Sequence, residues 1–207
     1  MNINKHLILL FSVLFFLFAV SVSSGCFRKN ESDVKSVVRN ELDQLKNLDS
    51  ETTQKYIPYT ELFPDATENT DLTDEINETF SLFFRKFNYK ISDVIVGTAN
   101  HSATVSVKLT TIDSKVLASD FKAELLRTQI TESAQAQKGN IKDSSRSLEA
   151  HYLILNHLLN TNDYDTAETD CNIQLVNTGN DKKEKWKIQR TNSLEDDLVG
   201  GLIADLA

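Results

Sequence analysis

The sequence predicts an α+β domain in which an antiparallel sheet of about four strands packs against several helices. Two observations predict this class. In several segments apolar residues recur every three to four positions, as on one face of a helix. In two other segments, residues 89–110 and 169–188, the apolar period changes to two, as in strands with one buried face. Each of these segments is interrupted by a turn and is therefore predicted to be a hairpin.

The first predicted helix follows a short polar segment. Its apolar stripe covers residues 34–48, and Ser32 or Asp33 is expected to be the N-cap because a short side-chain oxygen accepts the first N–H groups of a helix. Residues 50–71 contain both prolines and must contain turns, with a short helical piece at residues 51–56.

A second helix and the first hairpin are predicted next. The helix covers residues 72–87, and the strands of the hairpin follow at residues 89–96 and 103–110. Phenylalanine at helical spacing usually belongs to a core, with the lining of a ligand pocket as the alternative. The phenylalanines concerned are Phe80, Phe83, Phe84 and Phe87.

Two more helices and a second hairpin follow. Residues 115–137 and 148–159 have helical periodicity, and residues 169–175 and 186–188 form the second hairpin. The apolar stripe of the first of these helices is predicted to contain Val116, Phe121, Leu125 and Ile130. We expect one common core to bury Trp186, Val105, Phe84 and Cys171.

A closing helix completes the predicted domain. Ser193 is expected to cap it, and its leucines continue in line to Leu206. In a helix interior, each glycine of the Gly200-Gly201 pair lowers helix stability by roughly 1 kcal/mol relative to alanine. The pair therefore either permits close packing or ends the helix early.

The N-terminus carries the three parts of a secretory signal. Lys5 and His6 precede an apolar run, Leu7 to Val22, of 16 residues, which is shorter than the roughly 20 of a transmembrane helix. Small residues then lead to Cys26. Two alternatives remain open: an ordinary cleaved signal, in which Cys26 is incidental, and an uncleaved membrane anchor.

Ser24-Gly25-Cys26 resembles the end of the lipobox of bacterial lipoproteins, with Ser23 where the family usually has Leu. The resemblance implies that residues 1–25 are a lipoprotein signal peptide and that Cys26 receives diacylglycerol. Residues 26–32 would then be a lipidated tether and residues 33–207 a single domain. The resemblance also implies a position on the extracytoplasmic side of the cell membrane, where two acyl chains on one cysteine would make the attachment stable.

Three stretches resemble the NTF2-like or cystatin-like superfamily, in which a curved antiparallel sheet wraps round helices. They are Ala103-Thr104-Val105-Ser106-Val107, Lys185-Trp186-Lys187-Ile188 and Leu198-Val199-Gly200-Gly201-Leu202. More narrowly, the chain resembles lipoproteins of Gram-positive bacteria that carry such a domain. Proteins with this fold share no single function, so the resemblance implies a shape and no particular chemistry.

Charge excludes one class of partner. The formal net charge is −8, and removal of residues 1–25 takes away one lysine and makes it −9. The chain has no cluster of Lys and Arg that would form the electrostatic footprint of a nucleic-acid binder. We therefore expect no nucleic acid among its partners.

Five residues are candidates for catalysis, because enzymes of the resembled fold, such as ketosteroid isomerases and dehydratases, place a Tyr, His or Asp inside the cone. Each has a simpler structural explanation: the tyrosines lie on apolar faces, and the aspartates lie at the ends of the first hairpin. The candidates are Tyr89, Tyr152, His151, Asp93 and Asp113.

Other potential sites also have structural explanations. His101 belongs to a turn, and His151 and His157 are six residues apart, without the i, i+4 spacing that chelates a metal. Asp163-Tyr164-Asp165 lacks the glycine and glutamate of an EF-hand loop and is expected to be a solvated acidic loop. Cys171 is expected to be a small core residue, with a reactive thiol as the alternative.

The sequence therefore predicts no cofactor, no metal and no catalysis. The predicted function is a non-catalytic binding module, held at the membrane through Cys26, that binds another envelope protein or a small apolar ligand. The alternatives are a cone-pocket enzyme of the isomerase or dehydratase type and a dedicated carrier of a small apolar ligand.

Overall fold

The computed structural model describes residues 30–56, 62–63, 73–97, 101–136, 147–179 and 185–206. It confirms the α+β class, with a four-stranded antiparallel sheet in the order β1-β2-β3-β4. The elements are α1 (residues 30–46), α2 (Ser50–Tyr56), α3 (Thr73–Phe84), β1 (Asn88–Val96), β2 (Ser102–Ile112), α4 (Ser114–Ala136), α5 (Leu148–Thr161), β3 (Thr166–Asn177), β4 (Trp186–Ile188), α6 (Asn192–Leu198) and α7 (Leu202–Leu206).

The start of the domain differs from the prediction. The predicted signal peptide and Cys26 lie outside the described residues, but residues 30–32 of the predicted tether already belong to the described part of α1. The predicted N-cap is wrong, because Ser32 and Asp33 are exposed residues within α1. In the described part of the chain, no helix combines the length and the apolar character needed to cross a bilayer.

The sheet has one buried face and one polar face, as the alternation in the sequence predicts. Val105, Val107 and Leu109 of β2 are at most 1% exposed, and Cys171 of β3 pairs with Val107. On the opposite face, polar side chains bond across the β2–β3 ladder. The bonds are Thr104 to Gln174 at 3.0 Å, Ser106 to Asn172 at 2.9 Å and Lys108 to Glu168 at 3.2 Å.

The core contains the residues predicted for it. Trp186 is 7% exposed, Val105 0%, Phe84 1% and Cys171 2%. The other phenylalanines predicted on the second helix are buried too, Phe80 and Phe87 at 4% and Phe83 at 2%. Phe84 packs edge to face against both Phe83 and Phe87, so this side of α3 and the turn after it fill the space above the sheet.

The predicted apolar stripe of α4 is wrong in part. Phe121 is 3% exposed and Leu125 packs partly against the core, but Val116 is 49% and Ile130 61% exposed. At 100° per residue, Val116 and Ile130 lie on the side of the helix opposite Phe121. Apolar residues therefore occupy two opposite faces of α4, of which only one is buried.

The predicted closing helix is two short helices. The N-cap is Thr191 and not Ser193, since the Thr191 hydroxyl accepts from the Leu194 N–H at 3.1 Å. Helix α6 ends in a Schellman motif, in which Gly201 N–H donates to Asp196 O and Gly200 N–H to Asp197 O. Both glycines have positive φ, 65° and 91°, so the glycine pair ends the helix early.

Gly200 also permits close packing, which makes it the more sensitive of the two glycines. A Cβ at Gly200 would lie 2.3 Å from Thr111 Oγ1, whereas a Cβ at Gly201 meets nothing closer than 3.7 Å. We expect Gly200→Ala to lower the free energy of unfolding by about 2 kcal/mol, from left-handed backbone strain and overpacking together. Gly201→Ala, which adds the strain alone, should cost about half as much. Urea unfolding of the two variants compares them, and equal midpoints would contradict the assigned contact with Thr111.

Candidate functional site

A groove runs between α1 and the edge strand β1. It consists of two adjoining clefts of about 290 and 420 Å³ that share Lys35 and Ile91. None of the described strands pairs with the outer side of β1. We call this feature the α1–β1 groove; it is lined by Glu31, Ser32, Lys35, Arg39, Asp43 and Lys46 of α1 and by Asn88, Tyr89, Ile91, Ser92, Asp93 and Val94 of β1.

Two side-chain contacts fix α1 against β1 along this groove. The Tyr89 hydroxyl donates to Asp43 Oδ1 at 2.5 Å, and Lys46 Nζ donates to Asn88 Oδ1 at 2.9 Å. The strand itself is irregular here, since a bulge shifts the β1–β2 register between Ile91 and Asp93. Ser92, at the bulge, donates its hydroxyl hydrogen to Ser106 O at 3.0 Å. Hydrogen bonds from α1 to β1 and from β1 to β2 therefore fix the shape of the groove.

The charges of the groove are separated along its length. Lys35, Arg39 and Lys46 lie on one face of α1, at spacings of four and seven residues, and Asp43 among them is engaged by Tyr89. The other end contains Glu31 and Asp93. One end of the groove thus carries excess positive charge in a chain whose formal net charge is −8.

Tyr89 is the only predicted catalytic tyrosine that lines this groove among the described residues. Burial, and secondly its hydrogen bond to Asp43, raises the pKa of Tyr89 to about 12. The phenol therefore stays protonated at neutral pH and acts as a hydrogen-bond donor. A general acid or base works best with a pKa near the working pH, and the Tyr89 pKa is moved away from it.

The other catalytic candidates lie in different places. Tyr152 is 0% exposed, and its ring packs edge to face on Phe63 at 5.3 Å. His151 is half-buried with its ring 4.9 Å from that of Phe63. Asp113 accepts from the Lys115 N–H at 3.1 Å at the start of α4.

Asp93 lies on β1 and lines the acidic end of the groove. Tyr89 lines the other cleft and bonds to Asp43, so the groove does not join Asp93 to Tyr89 as an acid–base pair. His101 and His157 are both exposed. In the described part of the chain, no three His, Cys, Asp or Glu side chains are placed to hold a metal ion.

The Cys171 thiol is unreactive in this setting. It is 2% exposed, and burial, followed by the nearby Asp197 carboxylate, raises its pKa to about 12. Burial also raises the pKa of Asp197. Because the thiolate is the nucleophile, a thiol with so high a pKa is inert at neutral pH.

The Asp163-Tyr164-Asp165 segment is a loop with both aspartates exposed, as predicted, and only Tyr164 between them is buried. Tyr164 is 6% exposed, and its hydroxyl donates to Asp120 Oδ2 at 3.0 Å. Asp163 is exposed and forms a salt bridge with Lys86 at 2.5 Å. Asp165 uses its carbonyl to accept from the Asp113 N–H at 2.9 Å. The segment thus joins α4 and the α3–β1 turn to the start of β3.

A second cleft lies between α2 and α3, with a volume of about 320 Å³. Phe80 and Leu48 give it an apolar part, and Thr53, Asn77, Glu78 and Ser81 line the rest. Leu48 adopts a positive φ of 61°, which is uncommon for a residue with a side chain of this size. The cleft thus brings one of the predicted core phenylalanines to a surface opening.

The groove residues of α1 were missed in the sequence because a run of polar helix positions ordinarily predicts a solvated face. The signal available was the spacing of Lys35, Arg39 and Lys46 on one side of a helix in an acidic chain. Their pairing with Asn88 and Tyr89 needs the position of α1 against the sheet, which no local pattern contains.

No family model, curated protein or solved structure matches this chain.

Proposed function

We propose that this chain is a lipid-anchored lipoprotein on the extracytoplasmic face of the cell membrane and that it acts as a non-catalytic binding module. Its partner is an extended segment of another envelope protein, bound in the α1–β1 groove. The observation that carries this proposal is a groove with separated charges beside the outer side of β1. The anchor rests on the N-terminal apolar run and on Ser24-Gly25-Cys26.

Strand addition is the binding mode that this geometry favours. An extended peptide can add to a sheet edge through main-chain hydrogen bonds, while side-chain pockets supply specificity. Tyr89, Ile91 and Val94 are half-buried along the groove side of β1. Charges at an edge strand also discourage unselective pairing, so a partner must match the charges of the groove.

The charges define the chemistry of the partner. Lys35, Arg39 and Lys46 favour acidic side chains on the part of the segment that lies beside them. Glu31 and Asp93 favour a neutral or basic continuation at the other end. Such complementarity supplies specificity and a faster association rate more than it supplies affinity.

The non-catalytic part of the proposal is supported by two pKa values. Tyr89 and Cys171 both have pKa values raised to about 12, so both keep their protons under physiological conditions. The cone-pocket enzyme is the alternative, and an activity lost on Asp93→Asn or Asp113→Asn would favour it.

The finer fold assignment belongs to the same proposal. We assign the domain to the NTF2-like or cystatin-like type, in which the sheet curves round its helices. Support comes from the order of helices and hairpins, from the bulge in β1, and from the polar side chains bonded across the face of the sheet opposite the core.

Crosslinking on living cells tests the groove. A photo-crosslinking amino acid at Ser32, an exposed position on the groove wall, should capture one protein that mass spectrometry can identify. Lys35→Glu/Arg39→Glu should abolish that capture, because both changes reverse the charge of the basic end.

The matched control is Lys185→Glu/Lys187→Glu, which makes the same change in net charge at exposed positions beside and within β4. This control should retain the captured protein. Capture that survives in the groove variant, or that is lost equally in both variants, would contradict the proposed groove. Adducts formed with lipid alone would show that the groove binds the membrane surface and not a protein.

A carrier of a small apolar ligand is the second candidate, and the α2–α3 cleft favours it. A volume of about 320 Å³ with Phe80 and Leu48 in its lining is at the lower end of the range for small-molecule sites. If the chain has this function, a crosslinker at Ser32 should capture no protein, whether or not the charges of the groove are changed.

A further inference from the structure

Helix α4 has one apolar face more than the domain uses. Its inner face is buried, with Leu117 0%, Ala118 3% and Phe121 3% exposed. Its outer face contains Val116, Leu126 and Ile130, which are 49%, 57% and 61% exposed. None of these three residues lines the α1–β1 groove, so an inference about them goes beyond the proposed function.

The outer face has the spacing of a coiled-coil seam. Two small residues, Ser119 and Ala123, lie between Val116 and Leu126 on this face. From Val116 to Ile130 the five residues follow each other at steps of three, four, three and four, which is the heptad pattern of positions a and d. At 100° per residue they lie within about 80° of arc, on the side opposite Phe121. All five are exposed, and we call them the outer seam: Val116, Ser119, Ala123, Leu126 and Ile130.

We infer that the outer seam binds the outer seam of a second copy of this chain, with the two α4 helices antiparallel. A twofold axis between Ala123 and Leu126 places Ala123 against Leu126 of the second copy. The next layer places Ser119 against Ile130 of the second copy. Each of these layers pairs a small side chain with a large one, which lets the two helices approach closely and interdigitate.

Ser119 is the one polar member of the seam. A serine hydroxyl within a helix can donate to the backbone carbonyl four residues earlier, so the hydroxyl needs no partner on the second copy. The small volume of the Ser119 side chain leaves room for Ile130 of the second copy in the same layer. The seam therefore keeps its small-to-large alternation at this position with a polar group that its own helix can satisfy.

Charges beside the seam select the antiparallel arrangement. Asp120 and Arg127 lie on the same flank, and an antiparallel pair brings like flanks together, so Asp120 meets Arg127 of the second copy twice. Asp120 is held in place by the Tyr164 hydroxyl at 3.0 Å. The Arg127 side chain is 72% exposed beside Glu124, which leaves its guanidinium accessible to the second copy.

A parallel pair would bring opposite flanks together. Lys122 would then face Arg127 of the second copy, which places like charges side by side on both edges. The antiparallel pair instead places Lys122 near Gln129 of the second copy. Charge patterns at these flanking positions set orientation and partner choice in coiled coils.

Single-cysteine crosslinking in cells that produce the full chain tests this inference. In the proposed pair, the two copies of residue 123 lie about 5 Å apart along the axis, whereas the two copies of residue 116 lie about 25 Å apart. A short bismaleimide should therefore join Ala123→Cys chains into a product of twice the chain mass and should not join Val116→Cys chains. The chain without an added cysteine reports the background from Cys26, and Cys171 is 2% exposed.

Seam variants provide the second part of the test. In the Ala123→Cys background, Leu126→Glu/Ile130→Glu should abolish the crosslinked product while thermal unfolding stays unchanged, because both side chains are more than half exposed. Leu153→Glu is the matched control, since Leu153 is an apolar residue of α5, 53% exposed, outside the seam. It should leave the product intact.

Four outcomes would overturn the inference. They are the absence of a product at residue 123, products at both residues 123 and 116, a product that survives the seam variant, and an adduct with a different protein. Products at both positions would indicate a parallel pair, and an adduct of another mass would indicate a different partner.

Discussion

Trp186→Ala is expected to lower the free energy of unfolding by about 3–5 kcal/mol. Trp186 is 7% exposed and belongs to β4, which has three residues and pairs with β3 only from Leu175 to Asn177. The alanine would leave a cavity at the end of the core that so short a strand cannot close. Since domains of this kind are stable by about 5–15 kcal/mol, the loss is a large share of the total.

Urea unfolding followed by circular dichroism measures this loss. Lys187→Ala is the matched control, because its side chain is exposed on the neighbouring residue of the same strand; it should change stability by no more than about 0.5 kcal/mol. Trp186→Phe should lie between the two, since it keeps part of the buried ring. A Trp186→Ala domain with the wild-type midpoint would show that Trp186 does not belong to the core.

The strands were the most predictable part of the fold because their signal is local. Alternation over residues 103–110 predicts a strand with one buried face, and β2 extends from Ser102 to Ile112 with that face inward. The short helical piece expected at residues 51–56 corresponds to α2, Ser50–Tyr56. In both cases neighbouring residues decide the conformation.

The errors arose where several residues satisfy the same local rule. Ser32, Asp33 and Ser193 can all cap a helix, but α1 begins earlier and Thr191 caps α6. On α4, the predicted stripe combined Val116 with Phe121, although a spacing of five residues places them about 140° apart round the helix. A sequence shows that a helix has two apolar faces and does not show which of the two the domain covers.

The candidate site was the least predictable part. Tyr89 was identified as a candidate, but its partner is Asp43, which lies 46 residues earlier in the chain. A contact between elements so far apart depends on how α1 settles on the sheet. The raised pKa of Tyr89 follows from that packing, so its chemical character could not be obtained from the sequence.

Cys26→Ala is expected to abolish lipid labelling of the protein altogether. Diacylglycerol is transferred to a cysteine thiol, and alanine offers no acceptor atom at that position. Cells fed an alkyne analogue of palmitate should therefore label the wild-type chain in the membrane fraction and leave the variant unlabelled. Loss of both acyl chains removes about 0.8 kcal/mol of membrane affinity for every CH₂ group that was buried.

Cys171→Ala is the control that isolates this effect. The Cys171 thiol is 2% exposed in the core, so it cannot accept the lipid in the folded chain, and its removal should leave the label unchanged. The alternatives to lipidation give different patterns. An ordinary cleaved signal would release unlabelled wild-type protein into the medium, and an uncleaved anchor would keep unlabelled protein in the membrane with residues 1–25 still attached. Either pattern, or a label that persists in Cys26→Ala, would reject Cys26 as the lipidation site.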